Sequence, residues 1–162
     1  MAEVSAQEAA DREIVVTRTI EGPRHLVFEA FSDVKHLDRW WGPGGDAMTT
    51  HEFEFRPGGV WDATIKGPNG DVPNYVVWRE IVPPERIVWL YRSSKDDPWG
   101  VLTTLTLVER GEATEATLRL QFDSKEAREQ AAKYHAVEGA RLTLDRLADA
   151  VAADTDKQSI KK

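Results

Sequence analysis

The 162-residue chain contains no cysteine. That excludes disulfides, thiolate metal sites and a cysteine nucleophile, and it fits a reducing compartment, so the expected location is the cytoplasm. Basic residues are also scarce: the formal net charge is -7, and no basic run is longer than the terminal Lys161-Lys162. Non-specific nucleic-acid binding and adhesion to an anionic membrane need the opposite balance, so neither partner is expected. No stretch approaches the ~20 apolar residues of a membrane helix. Residues 1–10 have neither the basic nor the apolar region of a signal peptide. What the chain does have is six tryptophans. In a chain this size, those rings must be buried or used. Hydrophobic residues at 41% and charged residues at 30% exclude collagen-like, coiled-coil and fully disordered chains. The length suits one domain, expected over 13–152, with flexible tails at 1–12 and 153–162.

The β-branched run Glu13–Ile20 reads as a strand, broken by Glu21-Gly22-Pro23. Helical spacing follows over Arg24–Ser32 and again over Val34–Trp41, where Gly42-Pro43-Gly44-Gly45 stops it. Strand-like runs then recur: Met48–Phe55, Val60–Lys66, Tyr75–Val82, Arg86–Ser93, Val101–Glu109 and Ala116–Phe122. Their separators include Arg56-Pro57-Gly58-Gly59 and the hairpin signal Gly67-Pro68-Asn69-Gly70. With no helices between them, these runs predict one antiparallel sheet. From Ser124 to Val151 the apolar steps become three and four, which predicts one amphipathic helix. The expected fold is α+β: a curved sheet of about seven strands wrapped around a long C-terminal helix, with two short helices after the first strand.

Several of these segments resemble a known family. They are Arg18, Pro23, Val27-Phe28 and Ala30; Leu37 with Trp40-Trp41-Gly42-Pro43; Arg56-Pro57-Gly58-Gly59; Pro84-Glu85-Arg86-Ile87-Val88; and Glu138-Gly139 with Leu144 and Leu147. Together they are similar to the family named after the C-terminal domain of the activator of the heat-shock-protein-90 ATPase. That family lies within the START-like, or SRPBCC, superfamily. The resemblance implies a helix-grip fold with a mostly apolar cavity between sheet and helix. It also implies a lipid-like or aromatic ligand, and in a few relatives cyclisation or ring chemistry. Ala140 stands where members commonly carry an aromatic residue. Either the pocket is wider there, or a neighbour such as Trp78 fills the space.

Strand alternation puts Trp61 with Ala63 and Ile65 on one face, and Trp89 with Ile87 and Tyr91 on one face. Those faces either line a cavity or form packed core. Alternation also groups His51 with Phe53 and Phe55, pointing inward. Arg18 shares a face with Ile14, Val16 and Ile20, and either binds a ligand carboxylate or pairs with a Glu such as Glu80. Tyr134 falls on the apolar stripe of the last helix, with His135 one step around it. Trp99 is either a lid or a surface aromatic. The leading expectation is a small-molecule binding protein with Trp41, His51, Phe53, Trp61, Tyr75, Trp78, Trp89, Tyr91, Tyr134 and His135 at the site.

One alternative is a cyclase- or hydrolase-like enzyme using His51 or His135 as general acid or base, because histidine titrates near neutrality. The other is a co-chaperone-like or homodimeric interaction module. The chaperone activator itself has a further N-terminal domain with no counterpart here, which makes a chaperone the weaker partner expectation. Nothing in the sequence calls for a cofactor. No His-x-x-x-His or His-Glu-x-x-His spacing calls for a metal.

Overall fold

The computed structural model describes residues 11–41, 48–67, 70–92, 96 and 100–160, with side chains through Ala153. Gly42–Gly45 of the Trp-Trp-Gly-Pro segment and the lid candidate Trp99 lie outside these residues.

Seven strands form one antiparallel sheet in the order β1-β7-β6-β5-β4-β3-β2. They are β1 (Glu13–Ile20), β2 (Met48–Phe53), β3 (Val60–Gly67), β4 (Gly70–Val82), β5 (Arg86–Arg92), β6 (Val101–Arg110) and β7 (Ala113–Gln121). Every sequential pair from β2 to β7 is a hairpin neighbour, and β1 pairs with β7, which leaves β1 and β2 as the two edge strands. The first helices are α1 (Arg24–Ser32) and α2 (Val34–Trp40). α1 buries Leu26, Val27, Phe28, Ala30 and Phe31. Asp33 caps α2 by accepting from the Lys35 backbone N–H at 2.8 Å.

The expected single C-terminal helix is two: α3 (Lys125–Lys133) and α4 (Ala136–Ile160). Ser124 caps α3, accepting from the Ala127 N–H at 3.0 Å. The break falls at Tyr134 and His135, where His135 adopts a left-handed φ of 68°. Histidine is among the non-glycine residues that visit this region most readily. Neither Gly nor Pro marks the break, so the three-and-four spacing runs straight across it. α4 also continues helically to Ile160, past the tail boundary expected at 153.

α4 packs against β1, α1 and α2, with a lighter contact to β7. One helix therefore grips one side of a wide concave sheet. α1 also packs on β6 and β7, and α2 on β2; side chains cover the remaining concave face. The tryptophans do this at one end: Trp61 and Trp78 are fully buried with their rings 1° from parallel. The Arg56-Pro57-Gly58-Gly59 turn secures that end. Gly58 takes a φ of +84°, and a side chain at Gly59 would collide with the Glu54 carbonyl. Gly58 N–H donates to the Trp78 carbonyl at 2.7 Å, and Trp78 N–H to the Gly59 carbonyl at 2.9 Å.

Candidate functional site

At the other end of the sheet the concave face is open. A cleft of about 450 Å³ lies between the strands and the start of α4. Its floor comes from Ile65, Asn74, Trp89, Tyr91, Thr103 and Leu120, which alternation turns inward at one end of β3 to β7. Ala136, Gly139, Ala140 and Thr143 of α4 form the facing wall, with Ala131 of α3 beside them. Trp41, just past α2, closes the side toward the packed tryptophans. The α4 wall is made of small residues. A side chain at Gly139 would meet nothing within 4 Å.

The described residues lining the cleft include no charged side chain. Their polar groups are few. Asn74 is 1% exposed, Thr103 is buried, and Tyr91 is half-buried. Burial pushes the Tyr91 hydroxyl above the ordinary tyrosine range, so it is a neutral phenol at physiological pH. Trp41 Nε1 donates to Asn74 Oδ1 at 2.9 Å. The indole N–H expected to serve as a ligand handle is thus engaged by a protein group.

Of the residues singled out from sequence, Trp41, Trp89 and Tyr91 meet at this cleft. Phe53, Trp61 and Trp78 point inward but pack into the aromatic cluster at the other end. Phe55 lies 4.9 Å from Trp78, and Trp41 lies 4.9 Å from Trp61, centroid to centroid. Trp78 therefore does not fill the space beside Ala140, which stands on the cleft wall. Tyr75 alternates with the buried Asn74 and Val76, placing it on the outer face beside Asp62 and Arg92.

His51 does not point inward. The β2–β3 register shifts between Thr50 and Glu52, so a bulge at His51 lets both Thr50 and Phe53 face in. His51 is exposed, with Nε2 at 2.9 Å from Thr64 Oγ1. Tyr134 is 70% exposed rather than on a buried stripe, because the chain leaves the helix there. His135 is exposed too, 3.9 Å from Glu138. Both candidate general bases lie at the surface, outside the cleft lining. Arg18 is not part of this cleft's lining and does not pair with Glu80: it pairs with Asp145 of α4, while Glu80 pairs with Arg86. Among the described residues, no three His, Asp or Glu side chains converge as a metal site.

Asn74 and Thr103 escaped the sequence reading. Asn74 keeps the parity of Val76 and Trp78, and Thr103 that of Leu105 and Leu107. Starting β4 at Tyr75 left Asn74 outside any strand and hid that signal.

The model of the family described as "Activator of Hsp90 ATPase homolog 1-like protein" matches residues 21–152. The chain belongs to this family. Solved structures agree on the fold. A protein from Nitrosomonas europaea, 19% identical, superposes with a TM-score of 0.79, covering 91% of this chain and 98% of its own. One from Arthrobacter aurescens, 20% identical, gives 0.80 over 90% and 89%. One from Rhizobium loti, 29% identical, gives 0.65 over 85% and 95%. No curated protein sequence matches significantly. The architecture is thus the helix-grip, SRPBCC-like fold, which commonly binds hydrophobic ligands. Among the described residues, no helix is long and apolar enough to cross a membrane.

Proposed function

We propose that this family member binds a hydrophobic small molecule in the cleft between the sheet and the start of α4. The observation that carries this reading is the wall itself: about 450 Å³ lined by apolar and small side chains. Ligand sites typically span about 300–1,000 Å³, mostly apolar with a few fixed polar groups. Affinity would come from apolar burial, at about 25 cal/mol per Å² before association costs. Trp89 and Tyr91 on the floor and Trp41 at the side would supply flat contact area for a ring or a chain.

The surface positions of His51 and His135 weigh against the hydrolase-like alternative. Native mass spectrometry of the purified protein, alone and after challenge with sterols, aromatic polyketides and fatty acids, tests the binding reading. A one-to-one adduct that Ala140→Leu abolishes is expected. An apo spectrum throughout the panel would defeat the proposal.

A further inference from the structure

Asn74 is the one side chain on the cleft wall whose hydrogen bonding is incomplete among the buried polar atoms described. Its Nδ2 is buried and meets no hydrogen-bond partner. The orientation of the amide is not arbitrary. An indole N–H can only donate, so the Trp41 contact requires the oxygen of Asn74 on that side. The NH₂ is therefore the group left over, on a residue that lines the cleft. A buried donor without an acceptor is costly, and a polar group retained in an apolar wall calls for a partner. The partner must be an acceptor. It must also be uncharged, because the described lining residues include no Arg, Lys or His to offset an anion, and burying an unpaired carboxylate is prohibitive.

We propose that the ligand is a neutral, largely apolar molecule carrying an accepting oxygen, of the ketone, ester or lactone class, which takes a hydrogen bond from Asn74 Nδ2. Trp41 acts as a positioning residue by holding the amide with its NH₂ available. This inference rests on the cleft being a binding site, and it adds the chemical class of the occupant.

Three probes of matched size separate the two claims: 2-acetonaphthone, 2-ethylnaphthalene and 2-naphthoic acid, titrated at pH 7 by calorimetry and by quenching of tryptophan fluorescence. The ketone is expected to bind about five- to tenfold more tightly than the hydrocarbon, as one satisfied buried hydrogen bond requires, and the carboxylate most weakly. In Asn74→Leu the ketone and the hydrocarbon should bind alike. Trp41→Phe, which frees the amide to turn over, should narrow the gap as well. Equal binding of ketone and hydrocarbon to the unaltered protein would overturn the acceptor inference and leave the apolar cleft standing. Tightest binding of the carboxylate would overturn neutrality. No binding of any probe would overturn both claims. The comparison on the unaltered protein decides the matter even if Asn74→Leu fails to fold.

Discussion

The two ends of the concave sheet solve the same problem in opposite ways. Both lie under strands that a single gripping helix cannot cover. At one end Trp61, Trp78, Phe53 and Phe55 interlock, with centroids 4.9 to 6.4 Å apart, and fill the space. At the other, Ala131, Ala136, Gly139 and Ala140 face Ile65, Leu120 and Tyr91 across the cleft. Trp41 and Trp89 belong to both ends, each touching the aromatic cluster and lining the cleft. Six tryptophans therefore do not decide between a filled core and a pocket. The residues opposite them do: small side chains on α4 leave the space open.

The contrast can be broken first at its filled end. Trp78→Ala should destabilise by about 3–5 kcal/mol in urea unfolding, the usual cost of a large aromatic lost from a packed core. Leu120→Ala, a half-buried side chain facing the cleft, should cost about 1–2 kcal/mol. Equal costs would erase the distinction. Gly59→Ala comes next, at about 2–4 kcal/mol, because its Cβ would collide with the backbone carbonyl of Glu54; thermal denaturation reads it directly.

Ala140→Leu acts on the open end. It should weaken binding of an apolar probe at least about tenfold, while the melting temperature holds or rises, because the new atoms enter free space. A drop in melting temperature would mean that the site is already packed. Gly139→Ala sharpens the same point with a smaller effect. With nothing within 4 Å of the added Cβ, it should stabilise by about 0.5–1 kcal/mol through helix propensity.

The smallest effect is a pH dependence. The folded pKa of Tyr91 is raised by burial, so its neutral form favours folding. That contribution is complete below the unfolded value of about 10 and is lost as pH rises through the folded value. Stability should fall at alkaline pH less steeply in Tyr91→Phe, and a late-ionising component should vanish from the tyrosinate absorbance titration. An unchanged titration would place the Tyr91 ring in solvent.

Much of the fold was legible because turn residues and alternation are local signals. Glu13–Ile20 and Arg24–Ser32 coincide with β1 and α1. Errors arose where geometry departs from the regular period without a marker. The bulge at His51 reverses the parity of β2, and no glycine announces it. The left-handed turn at His135 interrupts a pattern that is helical on both sides. β4 begins at Gly70, because the tight hairpin pairs Gly67 with Gly70 and carries Pro73 within the strand. Of the site, the aromatic walls were readable from parity. The openness of the cleft was not, because it depends on which small residues of α4 meet which strands across the fold.

The most direct test of the central claim uses the tryptophans as reporters. Their indole N–H resonances, assigned through single Trp→Phe variants, are followed while 2-acetonaphthone is added. Binding in the cleft predicts the largest shifts at Trp41 and Trp89, with Trp61 and Trp78 changing least. Shifts centred on Trp61 and Trp78, or none at saturating probe, would contradict the account.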